Sequence, residues 1–213
     1  MPSKLAENTW GRVFAAVYDR IQKGAEEAGV REMRLGLVSQ ASGRVLEVGA
    51  GTGLNLDHYG DVEELVLAEP SPHMAAKLEQ KLAASRRNAT VVQAPAERLP
   101  FPEDSFDSVV VTLVLCTVPD QQAALNEIHR VLKPGGRLLF MEHVRSDDPK
   151  IARWQDRIEK PWGWFACGCH PNRDTLRTIE SSPLQLEFSA REQAPGVPRI
   201  VNEGVAGVAR KPA

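Results

Sequence analysis

Three glycines spaced two apart carry the clearest chemical signal in the chain. Residues 44–48 form a mostly apolar stretch, and Gly49, Gly51 and Gly53 follow it directly. Glycines at alternate positions let the backbone turn sharply and approach a ligand closely, and a helix after them would offer free N–H groups at its start. The pattern therefore predicts a strand, a turn and a following helix that together hold a cofactor containing adenosine.

Two carboxylates accompany the glycines and indicate which cofactor they would hold. Glu47 lies two residues before Gly49, where it would repel a pyrophosphate but would suit the ammonium and sulfonium groups of S-adenosylmethionine. Glu69 ends a second apolar stretch twenty residues beyond Gly49, the distance at which α/β nucleotide-binding folds place the acceptor for the ribose hydroxyls. We expect S-adenosylmethionine rather than NAD, with Glu69 on its ribose. The alternative is that Glu69 only begins a turn before a helix at Ser71.

Composition limits the class of protein and its partners. With 213 residues, 42% of them hydrophobic and 25% charged, the chain fits one globular α/β domain. The net charge of -2 gives no electrostatic reason to expect nucleic acid as a partner, so small molecules are expected. No apolar run approaches the roughly 18 residues of a membrane-spanning helix, and residues 1–8 lack the apolar core of a secretion signal. These features predict a cytoplasmic protein with no integral membrane segment, and they leave its oligomeric state open.

The three cysteines do not form a disulfide framework. Cys116, Cys167 and Cys169 are odd in number and few, which indicates a reducing compartment. The segment Cys167-Gly168-Cys169-His170 resembles part of a metal site, but zinc sites usually separate paired cysteines by two to four residues and add two further ligands at a set spacing. We expect no metal here. The segment is instead predicted to be a tight glycine turn with partly buried thiols, and Cys116 to pack at a strand end.

Strand and helix patterns alternate along most of the chain, which is typical of a doubly wound parallel sheet. The uniformly apolar residues 107–115 indicate a central strand covered on both faces. Two stretches near the end have strand character with no helix between them, which predicts an antiparallel hairpin at the sheet edge. A pair of helices is predicted over residues 9–39, and single helices over 71–82, 120–132 and 151–164, with another capped by Asn172 or Asp174. Strands are predicted over residues 44–48, 65–68, 90–93, 107–115, 137–141, 184–188 and 205–209. A turn is predicted at residues 133–136.

Further motifs extend the pattern over most of the chain. They are Ala96-Glu97-x-Leu99-Pro100-Phe101, Ser105-Phe106-Asp107 and Arg130-Val131-Leu132-Lys133-Pro134-Gly135-Gly136. With the glycine motif and Glu69, they resemble in order the motifs of class I S-adenosylmethionine-dependent methyltransferases. Residues 112–118, 141–144, Gly168-Cys169 and Asn172-Arg173 are similar to the methyltransferase-like seven branch, the animal thiol S-methyltransferases, and to its bacterial relatives.

The resemblance implies a fold and a set of cofactor contacts. The family has a Rossmann-like sheet of seven strands, mostly parallel with an antiparallel edge strand, and helices on both faces. It implies that Glu69 and the adjacent Pro70 hold the ribose, that Ala96 and Glu97 flank adenine, and that Leu113 faces the methionine end. The glycine loop would line the methionine and ribose portion through Gly49, Ala50, Gly51 and Gly53.

Two departures from the family pattern matter. Many members have an aspartate where this chain has Pro95, so backbone atoms or Glu97 would have to read the amino group of adenine. Animal members of the branch carry an apolar N-terminal membrane anchor, which the opening residues of this chain lack. This second departure counts against membrane association and lipid-like substrates.

Two residues are predicted to act near the reacting groups. His143 lies at the end of a predicted strand, where sheets of this class gather their chemistry, and it is the candidate for assisting proton loss from an acceptor. The alternative is a histidine that only holds the following loop. Tyr18, with Asp19 behind it, could cover the methionine tail, or could be a half-buried helix residue.

Several further assignments follow from position alone. The tryptophans at 154, 162 and 164 would form an apolar lid over the substrate or pack a helix onto the body, and His170, Asn172 and Arg173 would border the same pocket. The predicted organisation is one domain over residues 1–213. Within it, residues 1–40 form a helical cap, 44–145 the cofactor-binding core, and 146–213 the substrate-side helices and edge hairpin.

The predicted function is methylation of a small molecule, with a thiol as the preferred acceptor. The cofactor motifs fit equally an enzyme that methylates carbon, oxygen or nitrogen of a quinone, a phospholipid or a natural product. A cofactor-binding protein without catalysis is an alternative of another class. An NAD oxidoreductase is disfavoured by Glu47 and by the glycine spacing.

Overall fold

A computed structural model describes residues 4–194 and 196–213. The expectation about a secretion signal concerns the first eight residues, of which 1–3 lie outside the described residues. The strands are β1 Arg44–Val48, β2 Glu64–Ala68, β3 Thr90–Val92, β4 Phe106–Thr112, β5 Leu132–His143, β6 Gln185–Gln193 and β7 Glu203–Arg210. The helices are α1 Lys4–Ala25, α2 Arg31–Val38, α3 Pro72–Ala84, α4 Gln121–Val131, α5 Pro149–Phe165 and α6 Thr175–Glu180, with a π-helical segment Glu26–Val30 between α1 and α2.

All seven strands form one sheet in the order β3-β2-β1-β4-β5-β7-β6. The first five run parallel, and β7 pairs antiparallel with β5 and β6. The predicted doubly wound sheet with an antiparallel edge is therefore confirmed. The strand order reverses between β1 and β4, and open α/β sheets bind ligands at the carboxyl ends of the strands beside such a reversal.

Helices cover both faces because successive strand residues point to opposite sides of a sheet. In β1, Leu46 and Val48 enter one apolar cluster with Leu125 and Ile128 of α4. Val45 enters a second cluster that also contains residues of α2 and α3. The described helices include none that is long and apolar enough to cross a membrane.

Helix starts follow the capping residues of the sequence. Ser71, Asp120, Asp148 and Asp174 each accept a backbone N–H of the helix that they precede. Such caps satisfy N–H groups that lack partners within the helix. Of the two candidates for the last cap, the structure selects Asp174.

The connection between β1 and β2 differs from the prediction. We expected a helix after the glycines, but residues 51–58 form consecutive turns. Leu56 donates its N–H to the Gly53 carbonyl and His58 to the Asn55 carbonyl, so the bonds span three residues rather than four. The Asn55 side chain is drawn into a buried polar network below the loop, which fixes these turns.

The ends of β4 and β5 also differ. β4 stops at Thr112, three residues earlier than predicted, because Leu113 has a φ of 60° and donates its N–H to the Met141 carbonyl. β5 begins at Leu132 and so includes the predicted turn at 133–136. There Gly135 and Gly136 exchange backbone hydrogen bonds with Lys211, which continues the ladder beside the chain end.

A buried polar network supports the glycine loop from below. The Arg34 guanidinium on α2 donates to the Asn55 side-chain oxygen and to the Thr112 hydroxyl, each at 3.0 Å. The Glu47 carboxylate of β1 accepts from the Asn55 amide at 2.8 Å and from the Tyr59 hydroxyl at 2.7 Å. A buried charge requires such partners, and this network therefore ties α2, β1, β4 and the loop together.

Burial raises the pKa of Glu47 from its ordinary value of 4.5 to about 7, against the lowering effects of Tyr59, Asn55 and Arg34. Between these values the folded chain binds more protons than the unfolded chain, so the free energy of unfolding falls as the pH rises. One proton gives a slope of up to about 1.4 kcal/mol per pH unit. We predict that Glu47→Gln flattens this decline.

Urea unfolding between pH 5 and pH 8 measures the effect. Glu64→Gln is the matched control, because Glu64 is exposed at the start of the neighbouring strand β2 and pairs with Arg44. That variant should retain the wild-type slope. Parallel curves for wild type and Glu47→Gln would contradict the assignment.

Candidate active site

A cavity of about 680 Å³ opens at the carboxyl ends of the parallel strands. Its wall combines residues of α1, the loops after β1 to β4, the end of β5 and the segment after α5. Small-molecule sites span roughly 300–1,000 Å³, so the volume suits a cofactor with a small acceptor. Nine of the sequence-predicted residues line it: Tyr18, Gly49, Gly51, Glu69, Pro70, Ala96, Glu97, Leu113 and His143.

The glycine loop requires glycine for two reasons. The φ angles are 68° at Gly49, 56° at Gly51 and 80° at Gly53, in the region that favours glycine. A Cβ atom at Gly49 would lie 2.5 Å from Val114 Cγ2, whereas one at Gly51 would meet nothing closer than 4.0 Å. Gly49 therefore packs against protein, while Gly51 leaves free space at the cavity wall.

Glu69 joins two loops at this wall. Its side-chain oxygens accept the N–H of Gly51 at 2.9 Å and the N–H of Ser71 at 2.8 Å. The residue is 6% exposed, and burial raises the pKa of its carboxyl above the usual value while the two N–H donors oppose the rise. Each carboxylate oxygen has a further lone pair. Glu69 can thus accept hydrogen bonds from two hydroxyl groups of a bound molecule.

Beside Glu69 the cavity wall is mostly apolar. Pro95 and Ala96 of the loop after β3 line it together with Pro70 and Met74. Glu97 follows them, and its carboxylate accepts the N–H of Asp120 at 3.4 Å. This bond connects the loop to the start of α4. An apolar wall of this kind suits a flat ring such as adenine.

Helix α1 covers the glycine loop. Asp19 accepts a hydrogen bond from the Thr52 hydroxyl and lies 3.7 Å from the Lys81 ammonium of α3. Tyr18, one residue earlier, lines the cavity and receives a hydrogen bond from the Gln22 amide at 3.3 Å. Burial raises the pKa of Tyr18 to about 12, so its hydroxyl stays protonated at neutral pH.

A second buried carboxylate shapes the turn after β4. Glu142 is fully buried, and it accepts the N–H of Val114 at 2.8 Å and the N–H of Cys116 at 3.0 Å. Burial raises the pKa of Glu142, and these N–H donors oppose the rise. The bonds hold Leu113 at the mouth of the turn, where its side chain lines the cavity after the end of β4 rather than near the strand's centre.

Two thiols and an imidazole meet at the far wall. Cys116, His143 and Cys169 all line the cavity, and one ligand atom from each lies within 4.8 Å of the others. The sulfur of Cys169 is 3.7 Å from His143 Nδ1. The Cys116 thiol and the His143 imidazole lower the pKa of Cys169 against the effect of burial, while the interaction with Cys169 and burial raise the pKa of Cys116.

Three expected cofactor residues lie outside this wall. Glu47 is engaged with Asn55 and Tyr59 below the loop, so it supports the loop instead of reaching the cavity. A Cβ atom at Gly53 would lie 2.8 Å from Leu56 and from Leu78, so this glycine is needed for packing. Ala50 is also buried, and it packs in the second apolar cluster below the loop.

The segment after α5 acts mainly as a scaffold. His170 pairs with Glu159 at 2.7 Å and Asn172 donates to Asp156, and neither residue lines the cavity. Arg173 donates to the carbonyls of Leu115 and Val118. The predicted pocket role of these three residues is therefore wrong, because their polar atoms are used to hold loops.

The predicted aromatic lid is only partly present. Trp162 and Phe165 line the cavity. Trp164 stacks on Trp10 with ring centroids 5.2 Å apart, and Trp154 remains 56% exposed. The helix α5 thus contributes Trp162 to the wall and uses Trp164 to contact α1.

A family model and several known proteins are similar in sequence to this chain. Residues 46–140 match the family model described as a methyltransferase domain. The chain is 36% identical to thiol S-methyltransferase TMT1B of Rattus norvegicus, in a match covering 68% of this chain and 62% of that protein. It is 32% identical to thiol S-methyltransferase TMT1A of Homo sapiens, over 78% of this chain and 70% of that protein. The match therefore spans less than two thirds of the rat relative.

Solved structures support the fold. The crystal structure of an S-adenosylmethionine-dependent methyltransferase from Thermotoga maritima superposes with a TM-score of 0.72 at 19% identity, covering 96% of this chain and 99% of that one. The sequence relatives, the family model, the strand order and this structural likeness all agree on the family. The chain belongs to the class I S-adenosylmethionine-dependent methyltransferases.

Proposed function

We propose that this protein transfers the methyl group of S-adenosylmethionine to a small-molecule acceptor. The observation that carries the proposal is the position of Glu69, a buried carboxylate at the cavity wall beside Gly51. Two further features fit the cofactor: the free space at Gly51 and the apolar wall at Pro95 and Ala96. Family membership supports the same cofactor.

Each residue of the predicted cofactor site has a proposed role. Glu69 accepts the ribose hydroxyls, Pro70 and Ala96 pack against adenine, and Glu97 lies at its edge. Gly49 and Gly51 approach the methionine portion, Leu113 contacts its end and Tyr18 covers it. Ala50 and Gly53 shape the loop, and Glu47 supports it from below. Bound S-adenosylmethionine supplies an electrophilic methyl group, so the protein acts mainly by alignment and exclusion of water, which contribute as much as ~7–11 kcal/mol.

A thiol is the proposed acceptor. Two thiol S-methyltransferases are among the similar proteins, and the far wall combines apolar surface with His143 and two thiols. A thiol reacts as its thiolate, and His143 is placed to favour loss of the proton. Carbon, oxygen or nitrogen of a quinone, a phospholipid or a natural product is the second candidate, because the cofactor residues would serve it equally. A cofactor-binding protein without catalysis is the alternative of another class.

The proposed organisation is one methyltransferase domain over residues 1–213. Of the described residues, 4–40 cover the cavity, 44–145 hold the cofactor, and 146–194 with 196–213 complete the acceptor side. Three free thiols fit a reducing compartment, so a cytoplasmic location is proposed. Small molecules are the proposed partners.

The ribose contact can be tested by Glu69→Ala. Loss of charge-assisted hydrogen bonds should cost ~1.5–3 kcal/mol, which is a weakening of S-adenosylmethionine binding by roughly 10- to 150-fold. Isothermal titration calorimetry measures this affinity. Glu64→Ala removes an exposed carboxylate from the other end of β2 and should bind as the wild type does. Unchanged affinity in Glu69→Ala would refute the ribose role.

The acceptor class can be identified with cofactor labelled in its methyl group. Alkyl and aryl thiols, quinols, phenols and amines are offered in parallel, and labelled products are separated by chromatography. We predict that thiols are methylated in preference to the other classes. Methylation of another class without any thiol would contradict the thiol proposal, and binding of the cofactor without any product would favour a non-catalytic protein.

A further inference from the structure

Cys116, His143 and Cys169 come from three separate parts of the fold. Cys116 lies in the turn after β4, His143 is the last residue of β5, and Cys169 lies in the turn after α5. The distance of 3.7 Å between Cys169 Sγ and His143 Nδ1 and the 4.8 Å limit for the whole group place three soft ligand atoms around one point. Their separation along the chain explains why the spacing of Cys167 and Cys169 alone did not indicate a metal.

The scaffold around these side chains fixes their positions. His170 donates its backbone N–H to the Cys116 carbonyl at 2.8 Å, so the two cysteine-bearing turns are joined directly. The Glu142 carboxylate accepts the Cys116 N–H. Gly168 has a φ of 99°, and a Cβ atom there would lie 3.1 Å from the Thr117 carbonyl oxygen. The geometry is thus built by several independent bonds.

The distances match the requirements of zinc. Bonds of about 2.3 Å to sulfur and 2.0–2.1 Å to nitrogen place the ligand atoms of a tetrahedral site roughly 3.5–3.8 Å apart. The Cys169–His143 distance already lies in this range, and the remaining distances need to close by no more than about 1 Å. In addition, the buried Trp162 indole nitrogen meets no acceptor at full hydrogen-bond geometry, and Trp162 is close enough to Cys169 to help lower the pKa of its thiol. An N–H so placed would donate to a metal-bound thiolate.

We propose that Cys116, His143 and Cys169 bind a zinc ion that leaves one coordination position open to the cavity. Catalytic zinc sites have three protein ligands and an open fourth position, and two cysteines with one histidine are a known set. All three residues line the cavity, Cys116 and Cys169 buried in its wall and His143 partly exposed, so the open position would face the cavity. The site gives His143 the role of a metal ligand and places a Lewis acid at the acceptor side.

The role of the ion rests on the proposed thiol acceptor, whereas the binding of the ion does not. The sulfur of a thiol R–SH takes the open position in place of water, and its proton passes to solvent. The thiolate is then held at the wall opposite the cofactor side, and zinc favours it because zinc stabilises the deprotonated form of its ligands.

Zinc binding can be measured directly on the full chain, kept reduced with a phosphine. We expect about one zinc ion per chain in competition with a chromogenic chelator. Cys116→Ser and Cys169→Ser should each weaken binding by more than about 100-fold, since loss even of an outer partner costs 10–100-fold. Cys167→Ser is the matched control, because this exposed cysteine lies in the same turn and outside the ligand group, and it should bind as the wild type does.

Three results separate the possible failures. Wild-type chain that binds zinc no more tightly than the double variant Cys116→Ser/Cys169→Ser, or equal loss in Cys167→Ser, would overturn the site. Cobalt(II) titration of the wild type tests the site without variants. A thiolate-to-cobalt absorption band is expected, and its absence would overturn the site. Calorimetry with S-adenosylmethionine is run on each protein: binding of the cofactor without zinc overturns only the metal site, and binding of zinc without the cofactor overturns only the proposed function.

Discussion

The carboxylate of Glu69 accepts N–H groups from two loops, and the cofactor side of the cavity depends on this bridge. Gly51 belongs to the loop after β1 and Ser71 to the loop after β2, so a single side chain sets the distance between them. Burial at the carboxyl ends of the strands raises the free energy of its charged form and so raises its pKa, while the two N–H donors oppose part of this rise. The carboxyl oxygens of Glu69 keep further lone pairs at the cavity wall, and hydroxyl groups of a bound molecule can donate to them.

A second carboxylate organises the acceptor side in the same way. Glu142, near the end of β5, accepts the N–H groups of Val114 and Cys116 in the turn after β4. Arg173 donates to the carbonyls of Leu115 and Val118 in the same segment. Leu113 and Cys116 of this turn both line the cavity, with Cys116 buried in its wall. Two buried carboxylates, each at the end of a parallel strand, thus hold the loops that line the cavity.

The sequence predicted the features that depend on local pattern. The doubly wound parallel sheet, the edge hairpin and the capped helices follow from the hydrophobic period and from residues such as Ser71 and Asp120. The glycine spacing and Glu69 correctly indicated where the cavity lies, because the carboxyl ends of parallel strands meet at one edge of the sheet.

The sequence could not predict features that depend on distant partners. Arg34 has the pattern of an ordinary helix surface residue, yet it is 2% exposed and bonded to Asn55 and Thr112. Glu47 looked like a cofactor ligand, but Tyr59 and Asn55 engage it below the loop. An acidic residue within an apolar strand signals only that partners exist. Glu142 lies just beyond the predicted strand 137–141, and its partners also became visible only in the fold.

The most direct test of the central claim is a crystal structure of the chain with S-adenosylhomocysteine, the product form of the cofactor. The account predicts ribose hydroxyls within hydrogen-bond distance of Glu69, adenine against Ala96 and the sulfur facing the side of His143. An empty cavity at saturating ligand, or a ligand whose ribose lies away from Glu69, would contradict it.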